Sequence, residues 1–232
     1  MTIAPKSTRA TMPALSPIVR DSTPALIAQE LREAVAEGRF APGQQLLETS
    51  LAASLGVSRG PLREAMQRLT QEGLLIAHRN RGLFVMDLDE PAVRDMYLAR
   101  GAVERAAVEH LIATGRNARA TELMTIVEVM RAHAGSPDGP EVSALDMQFH
   151  RTLVDLSESP RLISMHRTLL TQVRMCLTRM QATYDDIETR VAEHAGIATA
   201  LLDGDVGEAT RLLAEHMEDG LRRVLAVVPA EA

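Results

Sequence analysis

Four residues in the second half of the chain have the types and spacing to hold a divalent cation. Asp146 and His150 stand four apart in Leu145-Asp-Met-Gln-Phe-His150, so on a helix they project from one face. The apolar positions Leu145, Phe149, Leu153 and Leu156 lie beside them, which turns that face toward a protein interior. A bare carboxylate there is costly, and a neighbouring cation removes most of the cost. His194, four residues ahead of Ala198, and His216, in Leu212-Leu-Ala-Glu-His216, fall on the inner faces of the last two helical segments. Those segments meet at Gly204, with His194 ten residues before it and His216 twelve after, so antiparallel pairing brings the two imidazoles level. A lone Asp-His pair is more often a buried hydrogen bond. Three imidazoles and a carboxylate converging in one helical unit make a stronger signal, and the set suits Zn²⁺, Ni²⁺ or Mn²⁺.

Bringing these groups together requires a helical bundle, and the chain from Pro91 onward has the pattern for one. It shows helical periods without strand alternation, in segments near 91–114, 118–134, 141–157, 160–181, 186–203 and 205–228. Gly115, Gly135-Ser-Pro-Asp-Gly-Pro140, Ser159-Pro160, Thr183-Tyr-Asp-Asp186 and Gly204-Asp205 punctuate them. Six such helices with short connections predict an antiparallel bundle over 91–228. His110, His133 and His166 have no partner at ligand spacing and are assigned to the surface or the ordinary core.

A second set of residues suits DNA. Leu51 to Leu69 reads as two short helices joined by a tight turn at Gly56-Val57. Ser58 is placed to cap the second through its hydroxyl, and Pro61 is tolerable in the first turn. Leu62, Ala65, Met66 and Leu69 form the buried stripe, leaving Arg59, Arg63, Gln67 and Arg68 off it. Arginine can clamp guanine O6 and N7 or hold a phosphate, so Arg59 and Arg63 are candidate contacts in the major groove. Two apolar runs, Leu74 to His78 and Leu83 to Met86, flank Arg79-Asn-Arg-Gly82 and predict a hairpin wing, with Gly82 supplying a positive φ. Arg79 and Arg81 at its tip can reach the minor groove or the backbone. An earlier helix, with Thr23 as cap and Pro24 in its first turn, carries Leu26, Ile27, Leu31 and Val35 and ends near Gly38, completing a three-helix core. Residues 39–46 read as a loop and a short extended piece, residues 1–22 as a flexible tail, and residues 87–90 as an acidic linker.

Composition agrees with a mostly α chain. Hydrophobic residues make up 46% of it, ample for a packed core, while aromatics reach only 2% and tryptophan is absent. The single cysteine, Cys176, excludes an internal disulfide and a thiolate cage, and is expected in the core of a protein kept in a reducing compartment. No apolar run approaches the roughly 20 residues of a membrane helix, and the N-terminus lacks a secretory core, so a cytoplasmic location is expected. The net charge of −6 divides into +3 over residues 1–86 and −9 over the rest, placing the basic balance where phosphate would be met.

The motif residues resemble a known family. Glu48-x-x-Leu51-Ala52, Leu55-Gly-Val-Ser-Arg-Gly-Pro-Leu-Arg-Glu-Ala65, Leu69, Glu72-Gly-Leu74 and Arg81-Gly82 are similar to the winged helix-turn-helix of the GntR family of bacterial transcription regulators. That resemblance implies DNA contacts from Ser58, Arg59, Gly60 and Arg63 together with the wing; Thr49 stands where some members carry arginine. Tyr97-x-x-Arg100-x-x-x-Glu104, Asp146-x-x-x-His150, Glu193-His194 and Glu215-His216 resemble the FCD ligand-binding domain of its FadR subfamily. Members with this Asp and three His bind a divalent metal that helps hold a small carboxylate effector. By resemblance Asp146, His150, His194 and His216 are the ligands, and Arg100 is a partner for the effector carboxylate.

The expectation is therefore a homodimeric regulator that reads a palindromic double-stranded operator and senses a small organic acid at a metal, zinc foremost. Two other readings stay open at this point. One is a metal-dependent enzyme acting on a small carboxylate, against which stand the lack of a His-Glu-x-x-His pattern and of an evident nucleophile. The other is a purely structural metal.

Overall fold

A computed structural model of the chain describes residues 22–133, 140–180 and 187–227. The tail expected over 1–22 lies outside the described residues except for Ser22, as do positions 134, 181, 186 and 228 of the expected helices. Helix α1 (Thr23–Ala36) takes Ser22, not Thr23, as its N-cap, a correction of one residue. Both residues can cap, and Pro24 fits either register because first-turn amides have no helical partner.

Strand β1 (Gln45–Leu46) leads to α2 (Glu48–Leu55) and α3 (Arg59–Gln71). Between the helices Gly56 sits at φ 63°, a left-handed conformation that side chains disfavour, and the chain turns there. Leu62, Ala65, Met66 and Leu69 of α3 are fully buried in one core with Ile27, Leu31 and Val35 of α1. Ser58 has the backbone of an N-cap, but its hydroxyl makes no cap bond, contrary to the sequence reading. The residue is exposed, so solvent or a ligand can satisfy the first-turn amides and nothing draws the hydroxyl inward.

The wing is a hairpin of β2 (Leu75–His78) and β3 (Gly82–Val85), with His78 opposite Gly82 and Leu75 opposite Val85. Asn80 (φ 62°) and Gly82 (φ 97°) make its turn. The short extended piece before α2 becomes a third strand, giving the antiparallel order β1-β3-β2.

Asp89 caps α4 (Glu90–Ala113), its Oδ1 accepting the Ala92 N–H at 2.8 Å, so this helix starts one residue earlier than the proline suggests. Leu88 is buried in the common core, so the acidic connection is anchored at that point. A 3₁₀ turn (Asn117–Ala120) precedes α5 (Thr121–His133); α6 (Pro140–Asp155), α7 (Pro160–Met180), α8 (Ile187–Leu202) and α9 (Val206–Val227) follow. Helix α4 packs against α6, α7 and α9, while α8 packs against α5 and α9. Helix α1 also packs on α7, so the winged helix-turn-helix rests on the bundle. No described helix is long and apolar enough to cross a membrane.

Candidate metal centre and candidate nucleic-acid interface

One turn of α6 presents Asp146 and His150, α8 presents His194, and α9 presents His216. All four are buried, and one ligand atom from each lies within 4.8 Å of the others. The rings pack directly: His194 meets His216 edge-on at 4.6 Å between centroids, and His150 stacks on His216 at 4.9 Å. Phe149 walls the group, its ring 4.6 Å from that of His194.

The second nitrogen of each imidazole decides what the cluster can do. His150 donates Nδ1–H to Glu104 Oε2 at 2.7 Å, His194 donates Nδ1–H to the Arg190 carbonyl at 2.8 Å, and His216 donates Nδ1–H to Glu193 Oε2 at 2.8 Å. In each neutral ring that leaves the lone pair on Nε2. Two of these atoms, on His150 and His216, lie only 3.0 Å apart with neither bearing a proton to share. The third, on His194, is buried without a hydrogen-bond partner, though Asp146 Oδ1 is 3.3 Å away. Facing lone pairs beside a carboxylate attract a cation. The residues present thus fit a divalent metal with nitrogen and oxygen ligands.

Electrostatics keep His150, His216 and Asp146 in ligand form. Burial pushes the His150 imidazole down to about 3 against the opposing pull of Glu104, and burial together with neighbouring His194 holds His216 well below its ordinary value. Burial disfavours a charge on Asp146, but His194, His150 and Arg190 outweigh it and hold the carboxyl well below the usual range. Arg190 lies 3.5 Å from Asp146 Oδ1 and 3.5 Å from Asp219 Oδ2. Glu104 behaves likewise: burial opposes its charge, and His150 and Arg100 more than compensate.

Arg100 is 3% exposed, donates Nε–H to Glu104 Oε1 at 2.7 Å, and leaves Nη2 without a hydrogen-bond partner. It borders a cavity of about 10 Å³ shared with Tyr97, Asp146, Arg190 and His216, room for about one water. Gly220 completes this wall, where an added Cβ would meet the Tyr97 ring at 3.1 Å.

On the winged module, Ser58, Arg59, Gly60, Arg63, Arg79, Arg81 and Gly82 are all exposed. Among the described residues no carboxylate pairs with Arg59, Arg79 or Arg81, and Arg81 sits over the Phe84 ring at 5.4 Å. Arg63 differs, with Nε 2.7 Å from Glu48 Oε2. Its side chain stays 64% exposed, and surface pairs of this kind are worth about 0–1 kcal/mol, so phosphate can displace the carboxylate.

Sequence reasoning quoted Glu104 and Glu193 in the motif without giving either a role, and it missed Arg190 and His166 as parts of the centre. Glu104 joins three elements, since its Oε1 also accepts from His166 Nε2 at 2.9 Å, and His166 is thereby a buried, paired residue of α7. Two local signals existed: Glu104 is four residues after Arg100 on α4, and Arg190 four before His194 on α8.

Comparison with known proteins places the chain. Residues 25–85 match the family described as bacterial regulatory proteins, gntR family, and residues 95–219 match the FCD domain. The chain is 29% identical over 192 residues to the Nta operon transcriptional regulator of Aminobacter aminovorans, covering 82% of this chain and 88% of that protein. It is 27% identical over 205 residues to the gluconate operon transcriptional repressor of Bacillus licheniformis, covering 86% and 84%. A solved structure from Rhodococcus sp. RHA1, described as a GntR transcriptional regulator, superposes with a TM-score of 0.71 at 28% identity over 89% of this chain and 99% of that one. With a gntR-type winged helix-turn-helix in front and an FCD domain behind, this chain belongs to the GntR family of transcriptional regulators.

Proposed function

We propose that this regulator is a cytoplasmic, non-enzymatic homodimer whose affinity for a palindromic operator is set by a small organic acid bound at a divalent metal in the FCD domain. The observation that carries this reading is the tautomer pattern: three buried imidazoles tied at Nδ1, with Nε2 of His150 and His216 3.0 Å apart and Nε2 of His194 3.3 Å from Asp146 Oδ1. Asp146, His150, His194 and His216 would hold the ion, and zinc, nickel or manganese fits the donors. A divalent ion there supplies an electrophilic site for an effector oxygen. Arg100 then offers its unpartnered Nη2 to the effector carboxylate, while Glu104 keeps that guanidinium in place. The named relatives include a repressor of a gluconate operon, which makes sugar acids a first class to test.

The cavity beside Arg100 holds about one water as it stands, so an acid of several atoms must part α4 from α9 to enter. That movement begins at the helix capped by Asp89, next to Leu88 and the wing. Binding changes operator affinity only as far as the acid prefers one arrangement over the other, typically about 1–3 kcal/mol.

On the DNA side, Ser58, Gly60 and the first turn of α3 approach the groove while Arg59 and Arg63 contact bases or phosphate. Selection of bound fragments from the source genome supplies the operator. On it, Arg59→Ala and Arg63→Ala should each weaken binding by about 1–3 kcal/mol with the fold intact by circular dichroism. Unchanged binding in both removes α3 as the reading helix. At the wing, Arg79→Ala or Arg81→Ala should lower affinity and flatten the slope of log affinity against log salt by about 1 for each phosphate no longer neutralised. A slope equal to wild type means that the wing tip does not meet phosphate.

A further inference from the structure

Most arginines of this acidic chain are engaged by carboxylates. Among the residues whose side chains are described, the arginines without a carboxylate partner fall into two groups: Arg59, Arg79 and Arg81 on the winged module, and Arg151, Arg161 and Arg167 on α6 and α7. Two of the second group, Arg151 and Arg167, border a cavity of about 600 Å³ between α1 and the bundle. Its volume lies in the range of sites for small organic ligands, and such sites favour boundaries between structural units.

The chemistry of the walls is specific. Helix α1 contributes Gln29, Arg32 and Glu33, while α6 and α7 contribute Arg151, Asp155, Arg167 and Arg174. Arg32 is held by Glu72 at 2.7 Å and Arg174 by Glu37 at 3.5 Å, so two of the cations are anchored by carboxylates. Glu33 and Asp155 also line the cleft, but neither forms an ion pair there, so Arg151 and Arg167 are the lining cations that keep no carboxylate partner. A guanidinium without a carboxylate partner can engage an incoming anion through two parallel N–H bonds. Met147, Ile163 and Leu170 add apolar surface, which suits a carbon skeleton between charged groups.

We propose that this cleft is a second ligand site, distinct from the metal centre, which takes a small organic anion with two or more negative charges. Arg151 and Arg167 hold the anion, and its contacts with α1 fix the winged module against the bundle. The floor of the cleft is His166, whose Nε2 meets Glu104, the same carboxylate that orients His150. Occupancy of the cleft therefore bears on the α7 face that packs on α1 and on the group that positions the metal centre.

The test is calorimetric titration of the full chain with fructose 1,6-bisphosphate and, separately, propane-1,2,3-tricarboxylate, which distinguish phosphate from carboxylate sources. Wild type should bind at least one of them at one per chain, both metal-loaded and after treatment with EDTA. Arg151→Glu with Arg167→Glu should weaken that binding by about tenfold or more, and Arg59→Ala with Arg63→Ala should leave it unchanged. Both cleft arginines are exposed, so reversal should spare the fold. If circular dichroism shows otherwise, Arg151→Gln with Arg167→Gln gives the same comparison. Equal affinity in the cleft variant overturns the proposal, as does no binding by either probe. Loss of binding in the Arg59 and Arg63 variant overturns it by placing the anion on the DNA face, and loss on metal removal by placing it at the metal centre. The last outcome leaves the metal reading standing, and a metal-free result leaves the cleft standing, so the two fail separately.

Discussion

Replacing Glu104 with alanine should lower folding stability by about 3–5 kcal/mol, the cost of leaving one member of a buried ion pair behind. Glu104 is fully buried and accepts hydrogen bonds from Arg100, His150 and His166. Its removal strands a guanidinium that is itself 3% exposed, along with two imidazole N–H groups. The denaturant midpoint of the metal-free protein reads this cost, and a drop below about 1 kcal/mol would mean that the pair is not a buried charge. Glu104→Gln separates stability from the centre. It keeps the size of the side chain, but one end of an amide is a donor, and set against His150 Nδ1–H it forces the other tautomer. Metal affinity should then fall by about 10- to 100-fold even where the fold survives, the usual effect of removing a carboxylate that orients a metal-binding imidazole.

Metal loading should raise the melting temperature strongly. An ion that binds the folded chain at one hundred times its dissociation constant contributes about 2.7 kcal/mol, which for a chain of this length is on the order of 5–10 °C. The physical source is an ion that takes up the facing Nε2 lone pairs 3.0 Å apart and the third Nε2, on His194, which is buried without a hydrogen-bond partner. His194→Ala or His216→Ala should abolish the shift and reduce bound metal, measured by mass spectrometry of the digested protein, to trace level. A wild-type protein that melts at one temperature with and without zinc, nickel and manganese would contradict the ligand assignment. If metal removal instead unfolds the bundle and no acid alters melting, the ion is a structural clamp.

Much of the fold is legible in the sequence because its signals are local. The stripe Leu62, Ala65, Met66 and Leu69 repeats at helical spacing and is buried as the period requires. Glycine and proline bracket α4 and α6 to α9 to within a residue or two, since Gly115 and Gly204 end helices and Pro91 and Pro160 start them, whereas α5 begins at Thr121, later than the expected 118, because a 3₁₀ turn occupies Asn117–Ala120. The meeting of His194 and His216 follows from their near-equal distances to Gly204, and that of Asp146 and His150 from a single turn of helix. What stays hidden is non-local or too short to form a pattern. Glu104 reaches His150 across 46 positions and His166 across 62, and no spacing rule connects three separate helices. The pairing of β1 with β3 depends on a two-residue strand, too short to alternate. Ser58 shows the cap residue type, yet whether its hydroxyl turns inward depends on solvent at an exposed terminus.

The most direct measurement is the operator affinity of the metal-loaded protein, followed by fluorescence anisotropy, with and without D-gluconate and a panel of other small hydroxy and carboxylic acids. At least one acid should shift that affinity by about 5- to 150-fold, in either direction. The shift should vanish in His216→Ala, whose DNA-reading residues are intact, and operator DNA should change the affinity for the acid by the same factor. An acid that binds the metal-loaded protein yet leaves operator affinity unchanged, or a shift that persists without the metal, would contradict control through the Asp146, His150, His194 and His216 centre.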